Sequence, residues 1–303
     1  MTPGDLRRLL DWPIDDVVAA YDERDAIRYA LALGLGGNPL DAGEISYVYE
    51  RDLAVLPSFA TVLADPGFWL ADPRLGLDWP RMLHGAQAMT VHRALPPAGR
   101  VRTRSRVVTV RDRGAGKGSV IVTRRELRDA GSDALWCELE MTSLLRGDGA
   151  SGSHAPTGAT PARPAASAGT ETAATVAVPP SRRPPDATVI RRTLPQAALL
   201  YRQCGDRNPL HADPDVARAA GYPRPILHGL ATYGIACHAL LTALDAPPRR
   251  LDRFDARFTA PVYPGETIRI EAWIEAAGAT FEAHVVERGV KVLGHGRASL
   301  INE

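Results

Sequence analysis

Two stretches of this chain repeat each other across a wide gap, and a chain made of two diverged copies of one unit must fold as two similar halves. Gly37-Asn38-Pro39-Leu40-Asp41-Ala42 matches Arg207-Asn208-Pro209-Leu210-His211-Ala212 at an offset of 170 positions. Pro97-Ala98-Gly99 followed by Val101 to Val110 matches Tyr263-Pro264-Gly265 followed by Thr267 to Ile274, at an offset near 166. Either match alone is within reach of chance; both in one order, at similar offsets, indicate duplication. Leu83-His84-Gly85 also copies Leu227-His228-Gly229, but it lies too near Pro97 to hold the equivalent place and is read as accidental.

The copies occupy residues 1–146 and 187–303. Between them, from Gly147 to Asp186, the composition turns to Ala, Gly, Ser, Thr and Pro, without any aromatic residue, Leu or Ile. Such a segment buries too little apolar surface to offset its ordering entropy, so 147–186 is expected to be a flexible linker. An irregular crossover lying on the surface is the other reading.

Period-two alternation predicts strands in each half. In the first they fall near 87–95, 101–111, 118–128 and 134–145; in the second near 251–258, 266–274, 279–287 and 290–300. Each half is also expected to carry one long apolar helix. The clearer one follows Pro225, with Leu230, Tyr233, Cys237, Leu240 or Leu241, and Leu244 on one face. Ala231, Gly234, Ala236 and Ala239 would let a curved sheet approach it. The pattern alone makes the class α+β.

The hydrophobic fraction is 45% and the formal net charge +1, which suits a globular chain and gives no electrostatic case for nucleic acid or an anionic membrane. No stretch approaches the ~20 apolar residues that span a bilayer. Met1 to Asp16 lacks the apolar core of a signal peptide, and Leu300-Ile301-Asn302-Glu303 is not a peroxisomal address. Cys137, Cys204 and Cys237 are too scattered for a disulfide framework or a structural zinc site, so a reducing cytoplasm is expected.

Chemistry-bearing residues are densest from Tyr201 to His211. A helix beginning near Pro195 should stop at Gly205, and Pro209 disfavours helix at Asn208. Asp206 and His211 are therefore expected on a turn, where a carboxylate and an imidazole can share one water and supply two proton transfers. Asn208 would fix the turn or orient the imidazole. An ordinary Asx turn with an exposed histidine has the same sequence. In Arg224-Pro225-Ile226-Leu227-His228-Gly229-Leu230, free N–H groups at a helix start could bind an oxygen gaining negative charge. Alternatively Gly229 relieves packing and His228 is a satisfied, half-buried residue.

The stretch from Tyr201 through Gly234 resembles the signature of the hydratase 2 family, the MaoC-like dehydratases, including the hydratase domain of peroxisomal multifunctional enzymes. Phe258 to Glu266 resembles the strand and turn that follow there. Leu56-Pro57-Ser58-Phe59 and Leu83-His84-Gly85-Ala86-Gln87 extend the likeness more loosely into the first half. Gln203, where an aliphatic residue is expected, and the length of the linker are departures.

The resemblance implies a double hot-dog fold: two antiparallel sheets, each wrapping a helix, joined side by side. It implies reversible syn hydration of trans-2-enoyl-CoA to (R)-3-hydroxyacyl-CoA, with Asp206 and His211 as the acid/base pair, Asn208 as their orienter and the Gly229 N–H as the oxyanion donor. Acyl-CoA is the expected substrate, a homodimer the expected assembly, and neither cofactor nor metal is expected. A dehydratase acting on acyl-carrier protein, a hot-dog thioesterase and a non-enzymatic thioester sensor are the alternatives. In the first half Gly36 stands where Asp206 would be and Asp41 where His211 would be, so one active site per chain is expected. That half would house the acyl tail, with Leu31, Leu33, Leu35, Tyr47, Tyr49 and Phe59 as lining or as plain core.

Overall fold

The computed structural model describes residues 6–114, 116–149 and 183–301. Its strands are β1 (Val17–Tyr21), β2 (Met82–Val91), β3 (Gly99–Asp112), β4 (Ser119–Asp129) and β5 (Leu135–Leu145) in the first half. In the second they are β6 (Ala187–Arg192), β7 (Leu251–Phe258), β8 (Thr267–Glu275), β9 (Gly278–Val285) and β10 (Val290–Leu300). The α-helices are α1 (Glu23–Ala32), α2 (Ala42–Ile45), α3 (Ala197–Tyr201), α4 (Pro214–Ala219) and α5 (Gly229–Ala243).

All ten strands form a single sheet in the order β1-β3-β4-β5-β2-β7-β10-β9-β8-β6, with antiparallel neighbours throughout. From its outer edge inward, each half has the same order: β1-β3-β4-β5-β2 answers β6-β8-β9-β10-β7. The duplication read in the sequence is thus a duplication of topology. The two expected sheets are one, because β2 and β7 pair from Ala86↔Arg257 to Thr90↔Arg253 and close the edge that each half would otherwise expose. The edge strands β1 and β6, both short, were not foreseen. Strand β2 starts at Met82 rather than near 87, since Gly85 belongs to the strand. A Cβ there would stand 3.0 Å from the Leu144 side chain on the neighbouring strand.

Among the described residues, only the second half has the long apolar helix. Ala231 through Leu241 of α5 are all buried, so it is apolar all round rather than on one face, as a helix enclosed by a sheet and a second layer must be. Leu230 and Leu244, at its ends, are partly buried. In the first half the equivalent place, 170 positions earlier, holds short 3₁₀ turns in place of a helix, the first of them the buried Pro57–Thr61, which packs against α5. Asp65-Pro66-Gly67 follows, and a proline there cannot be accommodated within a continuing helix.

The small residues of α5 also do something other than admit the sheet. A Cβ on Gly234 would lie 2.7 Å from Tyr29 Oη and 2.8 Å from a Leu33 methyl, both presented by the α1 region of the first half. At Gly234 the helices of the two halves are in close contact. On the sheet side, Tyr233 Oη donates to the Phe254 carbonyl at 2.6 Å, and Phe254 stacks on Phe281 with centroids 5.1 Å apart.

Most of the segment expected to be a linker lies outside the described residues. Its described ends are held by hydrogen bonds. Asp148 is buried and accepts from the Asp78 N–H at 3.1 Å. Asp186 donates its N–H to the Ala272 carbonyl, and its carboxylate accepts from Ile274 N–H at 2.7 Å. Among the described residues, no helix is long and apolar enough to cross a membrane.

Gly234→Ala tests the helix contact. Propensity alone would stabilise a helix by about 1 kcal/mol on replacing Gly with Ala. Here the new methyl must displace Tyr29 or Leu33, and the expected result is a net loss of about 1–3 kcal/mol, read as a lower urea midpoint with unchanged slope.

Candidate active site

After α3 the chain makes one further 3₁₀ turn, Arg202–Cys204, and stops at Gly205, whose φ of 138° is a conformation that side-chain-bearing residues rarely adopt. The next residues form a tight turn stitched by its own side chains. Asp206 Oδ1 accepts from Asn208 N–H, and Asn208 Oδ1 accepts from Leu210 N–H, both at 3.0 Å. Pro209–His211 closes as a 3₁₀ turn capped by Asn208. Arg202 braces the loop by donating to the Arg207 carbonyl at 3.0 Å. The expected Asx turn is present, but the histidine at its end is not exposed: Asp206 is exposed, whereas His211 is 8% exposed.

His211 is oriented by the main chain ahead of α5. Its Nδ1 lies 2.9 Å from the Ile226 carbonyl, an acceptor, so Nδ1 carries the proton and Nε2 presents its lone pair. Asn208, expected to fix the turn or orient the imidazole, does the first; Ile226 does the second. Burial is the largest influence on His211 and holds its pKa below the usual imidazole range, aided by Arg202. The Ile226 carbonyl and the Asp206 charge oppose this. The ring is therefore neutral at neutral pH.

His228, the residue before α5, is the partner that sequence reasoning left undecided. Its ring stacks on that of His211 with centroids 3.7 Å apart and planes 24° apart, and its Nε2 lies 3.1 Å from the Asp206 carbonyl oxygen. The Tyr201 ring, tilted to it, lies 4.9 Å away. Burial first, then His211, drive its pKa well below the ordinary range. A motif signal existed, since His228 directly precedes Gly229, but nothing in sequence spacing shows that two rings seventeen positions apart stack.

Gly229 opens α5 and lies against Phe258, whose ring a Cβ would meet at 3.2 Å. The packing reading of this glycine therefore holds, alongside whatever its N–H does. The far side of Phe258 meets His84, from β2, at 4.7 Å between centroids. Asp206 is near enough to act electrostatically on His84, whose pKa burial lowers to about 4. The Leu83-His84-Gly85 segment thus borders the site from the first half.

A carboxylate oxygen of Asp206 and one ring nitrogen each of His211 and His228 lie within 4.8 Å of one another, a donor set that could in principle hold a metal. A shared ion would have to sit about 2.0–2.1 Å from both nitrogens and in both ring planes. Planes 24° apart with centroids 3.7 Å apart do not meet so close to the rings. The arrangement suits proton transfer, with the neutral Nε2 of His211 and a carboxylate within reach of one small molecule.

The first-half copy of this turn carries none of that chemistry. Asp41 caps α2 by accepting from Glu44 N–H at 3.1 Å, and the Gly36 N–H donates to Glu44 Oε2 at 3.1 Å. The other Glu44 oxygen pairs with Arg191 of β6 at 3.2 Å, so the turn has become a bridge between the halves. Of the apolar candidates there, Leu33, Leu35, Tyr47 and Phe59 are core, while Leu31 and Tyr49 are exposed. Phe59 packs between Tyr21 and Tyr29.

Residues 20–147 match the family model of the MFE-2 hydratase 2 N-terminal domain, and 173–295 that of the MaoC like domain. The chain is 35% identical to an enoyl-CoA hydratase of Mycobacterium tuberculosis over 89% of its own length and 90% of that protein's. It is 36% identical to a 3-hydroxyacyl-thioester dehydratase of the same organism, over 88% and 86%. To the peroxisomal enoyl-CoA hydratase 2 of Arabidopsis thaliana it is 33% identical, over 94% and 92%. The solved MaoC-like dehydratase of Phytophthora capsici superposes with a TM-score of 0.78 at 28% identity, covering 99% of each chain. A M. tuberculosis protein described as having a double hotdog fold superposes at 0.54 with 18% identity, over 95% and 94%, and this likeness bears on the fold alone. Matched in both halves and along nearly its whole length, the chain belongs to the hydratase 2 family of MaoC-like proteins.

Proposed function

We propose that the protein catalyses reversible syn hydration of trans-2-enoyl-CoA to (R)-3-hydroxyacyl-CoA. The observation that carries this reading is the neutral, buried His211 with Nε2 free, held beside the Asp206 carboxylate on one turn. In the hydration direction, His211 Nε2 takes a proton from a water that Asp206 holds, and the water oxygen bonds to C3. The π electrons move through C2 to the thioester oxygen, where the Gly229 N–H at the start of α5 would receive the charge. The enolate then collapses, and the imidazolium returns its proton to C2 on the same face. Every atom of water ends in the product, and the resemblance supplies the (R) assignment.

The names of the relatives support both directions, one hydrating an enoyl-CoA and another dehydrating a 3-hydroxyacyl thioester. The chain's free cysteines favour a reducing compartment, and we assign it to the cytoplasm; the Arabidopsis relative is peroxisomal by name. A homodimer would leave each site complete within one chain, since Asp206, His211, Gly229 and His84 all belong to one protomer.

Asp206→Asn and His211→Ala should each lower the hydration of crotonyl-CoA by about 10²–10⁴-fold with the fold intact. The product of the unaltered enzyme should be oxidised by an (R)-specific 3-hydroxyacyl-CoA dehydrogenase and not by the (S)-specific one. Near-normal turnover by well-folded Asp206→Asn, or product consumed only by the (S)-specific enzyme, contradicts the reading. Parallel assays with crotonyl-acyl-carrier protein separate the carrier-protein alternative.

The acidic limb of the kcat/KM profile follows from His211. Protonation removes the base, so activity falls as pH drops through its pKa, which burial places below the ordinary imidazole value of about 6.5. The rate should be flat through neutrality and decline only on the acid side of that value. A limb centred above 6.5 argues against His211 as the base.

Asp41→Ala should leave turnover of a short enoyl-CoA within a few-fold of normal while costing about 1 kcal/mol of stability through the lost cap on α2. Activity lost as completely as in Asp206→Asn would mean that the first half supplies a catalytic group.

A further inference from the structure

We infer that His228 is a positioning residue for hydration: its Nε2–H ties the backbone of Asp206 to the start of α5, and its ring is the flat support on which His211 stands. The inference rests on the proposed hydration and adds a residue to it. The turn bearing Asp206 has little else to hold it. It is exposed from Gly205 to Pro209, and apart from His211 Nδ1 on the Ile226 carbonyl the hydrogen bonds of its side chains run within the turn or close to it. His228 bonds that turn to the element bearing Gly229, at 3.1 Å from the Asp206 carbonyl. The same ring stacks on His211 at 3.7 Å and meets the tilted ring of Tyr201 at 4.9 Å. Together with the His211–Ile226 bond, this side chain therefore sets the spacing among the carboxylate, the imidazole and the helix start.

The donor role needs the Nε2–H tautomer, which leaves Nδ1 as a buried acceptor without a partner among the described residues. That arrangement suits a permanently neutral ring. The groups facing it are Asp206 and His211 from the turn, Arg202 just before the turn and the Tyr201 ring from α3. Burial, a charge on His211 and Arg202 all oppose a second proton on His228, against the Asp206 charge and the bond to the Asp206 carbonyl that favour it.

Two substitutions divide the ring from the bond. His228→Phe keeps a flat ring and loses the donor; His228→Gln keeps an amide donor near the Nε2 position and loses the ring. Phe should lower kcat for crotonyl-CoA by about 10- to 100-fold with KM within about threefold, because misplacement of the reacting groups weakens the transition state more than thioester binding. Gln should recover at least half of that loss on a logarithmic scale. A Phe variant with kcat within twofold of the unaltered enzyme, or a Gln variant no better than Phe, overturns the inference.

Ring ¹⁵N chemical shifts of the unaltered protein give a readout that requires neither activity nor a foldable variant. His228 should remain in the neutral Nε2–H form from pH 5 to 9. Protonation in that range, or the Nδ1–H tautomer, overturns the positioning role whether or not enoyl-CoA proves to be the substrate. Absence of hydration by the unaltered enzyme, with His228 neutral and Nε2–H throughout, sinks the proposed function alone.

Discussion

The pairing of β2 with β7 is the contact on which the rest of the structure depends. Five residue pairs, Ala86↔Arg257 to Thr90↔Arg253, turn two half-sheets into one and consume the two edges most exposed to mispairing. The edges that remain among the described strands belong to β1 and β6, short strands of five and six residues at the far ends. The seam also decides where chemistry can occur. His84 lies just beyond the paired stretch of β2, and Phe258 just beyond that of β7. Their rings meet at 4.7 Å, with Phe258 against Gly229. The site is therefore built at one end of the seam, and the half without a reactive pair still forms part of its wall.

The two halves share a strand order and differ in what their turns do. In the second half the residues after Gly205 keep a carboxylate and an imidazole together, and α5 presents its start to them. In the first half the corresponding turn is drawn inward by Glu44, which accepts from Gly36 and pairs with Arg191 of the opposite half. A buried carboxylate needs such partners, because desolvation without them costs several kcal/mol. The loss of the pair and the gain of the bridge are thus two aspects of one change. The missing helix fits the same picture: with short 3₁₀ turns such as Pro57–Thr61 in its place, Tyr21, Tyr29 and Phe59 pack in the interior of the first half.

Much of this was legible in the sequence, for identifiable reasons. Strands of the second half were located nearly to the residue, since Ile268, Ile270 and Ala272 alternate against a buried face and turns bound them. The turn at Asp206 was legible because Gly205, Asn208 and Pro209 each restrict the backbone locally. Three things were not. A helix expected in the first half by analogy was stopped by Asp65-Pro66-Gly67. The strands β1 and β6 are short edges whose identity comes from their neighbours rather than from their own pattern. Leu83-His84-Gly85 looked accidental because its significance is spatial: only the seam carries His84 to Phe258. Contacts between distant segments leave no period in a sequence, and His211 on His228 is another such contact.

The proposed acid/base pair is asymmetric in its surroundings, and that asymmetry follows from the fold. Asp206 sits on the solvent side of the turn, where one oxygen is engaged by Asn208 and the carboxylate keeps access to water. His211, five residues on, is turned under the segment leading into α5, so that Ile226 takes its Nδ1–H and His228 covers its face. Burial disfavours the imidazolium, while the neighbouring carboxylate favours it, and burial is the larger influence. A base that is neutral at rest can accept a proton during the reaction, and the adjacent carboxylate then stabilises the cation formed. Had both groups been exposed, water would screen the carboxylate from the imidazolium; had both been buried, the carboxylate itself would resist ionisation. Five residues of turn, with Gly205 at one end and Pro209 near the other, are enough to put one group on each side of that boundary.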